Sequence, residues 1–522
     1  MAVPDIVVVG GGSNSLTTAC YLAKAGLSVT VLERNDQPGG GVVSVEIEPG
    51  FIQDPHAMGL MTCLANPAIK CDELGLDAKF GLRWAYTKAP FASLFTDGTG
   101  LISYTDLDMT CQEIAKHSEK DAEAYRKLVA EANVLLPVLT TSFYAPPMPD
   151  AGFGKLLLSS PEGRDLAESM HGSVLEFMEK RFESPVVKLH FAKWAAELMT
   201  GPDQAGTGLT LYLLLGLSHK YQMGTVVGGS KNLTKALVDC LIHHGGTLQT
   251  GRTVKRLVVE SGRCTGVEME DGEIINARKA VVANIHPWDL GDMVKGVPQP
   301  VLDRAKATKL SEYGAINQQI ALTEKPLWKA GQRYAEATMV ELLDNDWDGF
   351  LTAFHELRTG KMPLDHLGPL ANVQSNIDPT RAPPGKAALY LYNFAPLEVE
   401  GGWTERKREI SDAVWDWFAS FTTNMDSSKM IARLVESPLD HAHHSLMMKK
   451  GDIMGIAMID SQLLGARPTP DLSDYRVPGV KSLYLSGVTS HPGGTVTLGG
   501  RATAMTMYDD FGIDLAVGFT SW

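Results

Sequence analysis

Cysteine is scarce in this 522-residue chain: Cys20, Cys63, Cys71, Cys111, Cys240 and Cys264 are scattered without a CxxC pair. A disulfide scaffold and a thiolate zinc site are thereby excluded as organising principles. Long apolar runs are also missing. The stretch 209–217 is the longest, far short of the roughly 20 residues a spanning helix requires, and no Lys/Arg cluster beside it supports contact with a membrane surface. Positive charge is in deficit, with 47 Lys plus Arg against 61 Asp plus Glu and a net charge of −14. That balance disfavours nucleic acid, whose binding needs a basic face. No internal repeat or low-complexity segment interrupts the chain. With 44% hydrophobic and 21% charged residues, the composition is that of a globular protein with a core large enough to enclose a ligand. The strand-like run 5–9 begins almost at once and leaves no room for a leader peptide, so a cytoplasmic protein is expected.

Glycine, by contrast, is concentrated where chemistry is expected. The β-branched run Ile6-Val7-Val8-Val9 reads as a parallel strand buried on both faces. Gly10-Gly11-Gly12-Ser13-Asn14-Ser15 follows, then a helical pattern to Ala25, a stop at Gly26, and a second strand ending at Glu33. The spacing is GxGxxS. Gly10 permits the tight turn, Gly12 permits a diphosphate to approach the backbone, and Ser15 stands where a third glycine would let helix and strand pack closely. The helix N-terminus offers free N–H groups and partial positive charge. Glu33 ends the second strand, where an acid can accept hydrogen bonds from an adenosine ribose. Such a unit suits NAD or FAD alike; the second glycine turn at Gly39-Gly40-Gly41 favours the longer cofactor, FAD.

Farther along, residues 105–220 read as mostly helical. A glycine turn at Gly228-Gly229, a helix, and strand signals at 247–250, 254–259 and 280–283 then return to the pattern of the first unit, and a last buried strand at 482–487 precedes the turn His491-Pro492-Gly493-Gly494. These positions predict an α/β fold in which a Rossmann-like FAD-binding domain (1–75, 222–295 and 475–522) is interleaved with a mixed-sheet and helical substrate domain (76–221 and 296–474).

The motifs Val8-Val9-Gly10-Gly11-Gly12-Ser13-Asn14-Ser15-Leu16, Leu32-Glu33-Arg34, Pro49-Gly50-Phe51, Val227-Gly228-Gly229-Ser230, Asp378-Pro379-Thr380 and Leu483-Tyr484-Leu485-Ser486-Gly487 cover nearly the whole chain. In them the sequence resembles the phytoene desaturase-like flavoproteins. Arg467-Pro468-Thr469-Pro470 and Tyr475-Arg476-Val477-Pro478 make it most similar to the pyridine nucleotide-disulphide oxidoreductase domain 2 type. The resemblance implies noncovalent FAD. It places Gly10, Gly12, Asn14 and Ser15 at the diphosphate, Glu33 at the ribose, Arg34 and Val254 at the adenine, Gly39 and Gly40 beside the diphosphate and ribityl chain, and Gly487 at the ribityl chain. Thr497, Leu498 and Gly499 would begin the last helix under the isoalloxazine. In one departure from the pattern, Gly487-Val488 stands where many such flavoproteins carry Gly-Asp.

For catalysis, Asp54 and His56 follow the Pro49-Gly50-Phe51 turn and His491 lies in the C-terminal turn. All three are candidate proton acceptors, and the two histidines can equally serve as packing residues. His441, His443 and His444 have neither i,i+4 pairing nor a cysteine companion, so a polar surface segment is expected and no metal. With no second GxGxxG for a nicotinamide domain, electrons would pass to oxygen, a quinone or another acceptor. The reading is therefore an FAD-dependent oxidoreductase, a dehydrogenase or desaturase acting on a small and mostly apolar molecule. A redox-neutral flavin-dependent isomerase or hydratase and an FAD-binding scaffold are the alternatives.

Overall fold

A computed structural model describes residues 3–148, 155 and 158–520. Ile6–Val9 lies at the centre of a five-stranded, wholly parallel sheet in the order Leu483–Leu485, Ala280–Ala283, Ile6–Val9, Val29–Leu32, Thr247–Gln249. The uninterrupted β-branched run has a simple cause: Ile6 and Val8 pack on one face among the helices Ser13–Lys24, Lys231–His243 and Gly500–Phe511. Val7 packs on the other face beneath a three-stranded antiparallel sheet that contributes Leu257 and Val267. A strand covered on both faces has no polar side to alternate with. The sheet thus draws its strands from three distant stretches of chain.

The larger sheet has seven strands, ordered Met430–Glu436, Gly314–Leu322, Ala387–Ala395, Leu370–Val373, Ala337–Leu343, Ala89–Phe95, Gly100–Ser103. Every pairing is antiparallel except Ala337–Leu343 with Ala89–Phe95. Phe91 faces a core shared with the helices Glu119–Tyr144, Pro185–Ala196 and Gly208–Lys220; Ala92 faces the opposite core, closed by Trp403–Ser420. The α/β class is as expected. Ahead of the helical stretch 105–220, the strands Trp84–Thr87, Ala89–Phe95 and Gly100–Ser103 have no counterpart in the sequence reading. All seven residues of Ala89–Phe95 are buried, so they too lack alternation, and the proline and two alanines weaken any strand propensity. The apolar stretch 209–217 is core helix, with every residue from Leu211 to Leu217 buried; the side chain of Leu209 lies outside the described residues. Among the described residues, no helix is long and apolar enough to cross a membrane.

His190 shows how the helical layer is pinned to the sheet. Its imidazole is fully buried, with Nδ1 at 2.8 Å from Ser93 Oγ and Nε2 at 2.8 Å from Ser103 Oγ. Burial pulls its pKa down from 6.5 to about 3. As pH falls, the unfolded chain takes up this proton before the folded chain does. Stability is therefore present above pH 6.5 and lost progressively toward pH 3. At ~1.4 kcal/mol per pKa unit, the residue withdraws about 2 kcal/mol between pH 7 and pH 5. His190→Gln is expected to flatten the loss by that amount in urea titrations at the two pH values; an unchanged pH slope would contradict the assignment.

Candidate active site

The first glycine turn and the first helix form one end of a long cavity. Gly10 has φ +93 and its N–H donates to Leu32 O (2.8 Å), which closes the turn. Gly12 caps the helix Ser13–Lys24 with an ordinary φ of −68 and no side-chain cap, so the first-turn amides are not satisfied by a neighbouring side chain. A methyl group on Gly12 would meet nothing in the chain nearer than Asn284 Nδ2 at 4.0 Å. The chain itself therefore leaves room beyond Gly12, on the cavity side.

The second glycine turn lies alongside. Gly39 N–H donates to Gly11 O (2.8 Å), and Gly12 and Gly39 form a parallel bridge. Gly39 has φ +125, and a Cβ there would sit 2.4 Å from Val42 O, so only glycine fits. Glu33 is spent partly on this scaffold: Gly11 N–H donates to Oε2 (2.6 Å) and Asn35 N–H to Oε1 (2.7 Å). Each carboxylate oxygen keeps a second lone pair. Ser15 donates its hydroxyl to Ser486 O (3.2 Å), and Asn14 Oδ1 accepts from Gly499 N–H (2.9 Å). The serine in the third glycine position thus ties the first helix to the last strand.

From Gly39–Val42 the cavity passes His56–Thr62, Gly487, Val488 and Thr495–Val496, and widens into a chamber walled by Trp194, Leu198, Leu214, Met339, Tyr390 and Tyr392. Tyr390 and Tyr392 are near-parallel, with centroids 6.0 Å apart. Glu197 is the one carboxylate among the described residues lining this chamber. Lys193 reaches both its Oε1 (2.5 Å) and the buried Glu341 Oε2 (2.9 Å), and sits 3.8 Å over the Phe394 ring. Burial holds the Glu341 carboxyl well above its usual range.

Several residues singled out from the sequence do not line the cavity. Arg34 is not part of the cavity lining; it donates to His443 O (3.3 Å) and His444 O (2.9 Å), and so tethers that loop. Val254 starts the strand Val254–Glu260 opposite Met269 and does not line the cavity. Thr497 and Leu498 are fully buried, their carbonyls accepting from Asn66 Nδ2. Gly499 caps the helix Gly500–Phe511; the cavity edge is formed three and four residues earlier, at Val496 and Thr495.

Of the three candidate proton acceptors, His56 alone lines the cavity. The Asp54 carboxylate is occupied: it accepts from Ser44 Oγ (2.5 Å), Ser230 N–H (2.8 Å) and Arg381 Nη2 (2.8 Å), at 1% exposure. His491 is buried with Nε2 at 2.7 Å from Ser142 O, and burial draws its pKa down to about 4. Both are braces of the fold.

His441 is also not where the sequence placed it. It is fully buried in the helix Pro438–His444, 5.4 Å ring to ring from His56, while His444 lies tilted 4.8 Å from the same ring. Burial, then the two neighbouring imidazoles, holds His56 well below its ordinary pKa, so it is neutral at pH 7. Neither of its nitrogens has a partner in the described chain. Glu436 and His441 bring ligand-type atoms within 4.8 Å of it. Asn317 Nδ2, at 3.2 Å, donates to His441 Nε2, so the neutral ring presents a proton rather than a lone pair at Nδ1.

Two cavity residues escaped the sequence reading. Asn284 directly follows the strand Ala280–Ala283, and position itself was the available signal, because ligands of open parallel sheets bind at the carboxyl ends of strands. Glu197 is the C-cap of the helix Pro185–Ala196 and stands four residues after Lys193, with which it pairs.

The uncapped helix N-terminus and the open space beyond Gly12 fit the diphosphate of a dinucleotide, the unpartnered Asn284 Oδ1 fits a hydroxyl donor beside it, and the adjoining apolar chamber fits an organic substrate. Comparison with known proteins agrees. Residues 16–424 match the family model described as flavin containing amine oxidoreductase. The chain is 30% identical to the mouse pyridine nucleotide-disulfide oxidoreductase domain-containing protein 2, over 97% of this chain and 93% of that protein. It is 26% identical to one of the limonene dehydrogenase polypeptides of Castellaniella defragrans, over 98% and 95%. Its fold is similar to that of an oxidoreductase from Methanosarcina mazei, with a TM-score of 0.64 at 14% identity over 97% and 99% of the two chains.

Proposed function

The chain belongs to the flavin containing amine oxidoreductase family and is an FAD-dependent oxidoreductase, and from that premise we propose that it desaturates a small, mostly apolar organic molecule. The observation that carries this reading is the continuity of one cavity from the paired glycine turns to the Trp194, Leu214 and Tyr392 chamber. The name of the limonene dehydrogenase relative accords with it. The FAD-binding domain is assigned to 1–75, 222–295 and 475–522 and the substrate domain to 76–221 and 296–474; all five strands of the parallel sheet fall within the first set. Six unpaired cysteines, five of them buried, support a cytoplasmic setting.

In this assignment the backbone of Gly10–Ser15 and of Gly39–Gly40 holds the diphosphate, Glu33 accepts from the ribose with its remaining lone pairs, and Gly487 keeps the ribityl path clear. Arg34, Val254, Thr497, Leu498 and Gly499 act as supports behind these contacts. When bound, FAD would supply the acceptor for the hydride, which carries both electrons. His56 takes the proton: it lies where the cofactor end meets the substrate sheet, with Gly41 on one side and Asn317, hydrogen-bonded to Pro55 O (2.9 Å), on the other. The apolar walls exclude water, and Glu197, paired with Lys193, offers the substrate the one carboxylate among the described residues that line them.

Anaerobic mixing tests this. Apolar alkenes and terpenoids are expected to bleach the oxidised flavin, and His56→Gln is expected to slow bleaching by about 10²-fold or more with FAD content unchanged. Bleaching by simple amines and by no apolar compound would overturn the substrate class, and an unaltered rate in His56→Gln would remove the imidazole from proton transfer. Activity only after prereduction would mark a redox-neutral reaction instead.

A further inference from the structure

We propose that Asn284 is a cofactor-holding residue of this chain, supplying from the strand end 280–283 the polar contact that Val488 does not provide after Gly487. The backbone places it. Asn284 N–H donates to Val9 O (3.1 Å), so the residue stands level with the first glycine turn, at the carboxyl ends of the adjacent strands Ile6–Val9, Ala280–Ala283 and Leu483–Leu485. Its side chain lies against three glycines of the motif turns. A methyl on Gly10 would come within 3.3 Å of Asn284 Cβ, one on Gly12 within 4.0 Å of Nδ2, and one on Gly487 within 1.9 Å of Oδ1. The carboxamide therefore fills the gap between the first and last glycine turns and lines the cavity there.

Nothing among the described residues answers its oxygen. Oδ1 is buried and has no hydrogen-bond partner among the described residues, a state that is unfavourable unless a ligand completes it. A primary amide offers what this position needs: Nδ2–H to donate to a phosphate oxygen and Oδ1 to accept from a ribityl hydroxyl. It does so without charge, whereas a carboxylate at the same place would repel the diphosphate. Three motif glycines thus leave room for the cofactor and for this one side chain together.

The proposal rests on the FAD reading, and FAD titrations of deflavinated protein, followed by fluorescence, keep the two apart. Asn284→Ala is expected to weaken FAD binding about tenfold or more. Asn284→Asp is expected to weaken it further, with a steeper dependence on ionic strength. The FAD-free Asn284→Ala chain is expected to melt no lower than FAD-free wild type, because the substitution removes a buried unpaired oxygen. A structural role would give the opposite sign. FAD affinity unchanged in both variants, or an FAD-free Asn284→Ala chain that melts well below wild type, would overturn the assignment while leaving the FAD reading intact. Failure of wild type to take up FAD would instead defeat that reading itself.

Discussion

Gly12→Val is expected to give a folded chain that no longer holds FAD. At most glycines of this site a side chain would strain the protein itself: Gly10 and Gly39 have positive φ, and a Cβ on Gly39 would overlap Val42 O. Gly12 is different. Its φ of −68 and ψ of 160 suit any residue, and the space beyond its Cα is bounded only by Asn284 Nδ2 at 4.0 Å. Losing glycine here even reduces the entropy of the unfolded chain. The only body a valine would obstruct is a ligand lying over the helix N-terminus. A melting temperature near that of FAD-free wild type, together with FAD affinity at least about 100-fold weaker, is the expected pair of results. Normal FAD content in Gly12→Val would place the dinucleotide elsewhere.

Arg381→Met is expected to destabilise the fold more than any other substitution named above. The guanidinium is fully buried between two buried carboxylates, with Nη2 at 2.8 Å from Asp54 Oδ2 and Nε at 2.8 Å from Asp378 Oδ2, and Nη2 also donates to Val226 O (2.8 Å). Asp54 in turn holds Ser44 and Ser230 N–H, and Asp378 Oδ2 accepts from Gly228 N–H (2.7 Å). Removing the cation leaves two like charges out of water, a loss of about 3–5 kcal/mol. Replacing all three groups, as Arg381→Met with Asp54→Asn and Asp378→Asn, is expected to recover much of that loss, because no uncompensated charge remains. Urea unfolding of the single and triple variants checks both. Equal midpoints for wild type and Arg381→Met would contradict the reading of Asp54 as a brace.

What the sequence disclosed was what local chain chemistry determines. The strand Ile6–Val9, the glycine turn and the acid at Glu33 follow from residues within about thirty positions of one another, and their spacing carries the fold of the first unit. What it concealed depends on partners far away. Asp54 looks like a base until Arg381 is found across the fold, and His491 looks catalytic until Ser142 is found against its Nε2. His441 reads as surface because its neighbours in sequence are polar, yet its neighbours in space are His56 and Asn317. The strand Ala89–Phe95 was hidden by the same double burial that made Ile6–Val9 plain; there, proline and alanine replace the β-branched residues. Asn284 and Glu197 belong to no motif, and only the cavity joins them to the glycines.

The central claim is that this cavity holds one FAD, and the most direct measurement is the flavin released on denaturing the purified protein, counted against chain concentration. The account requires about one FAD per chain, or the same after incubating the purified protein with FAD. A chain that carries none and takes up none would contradict it.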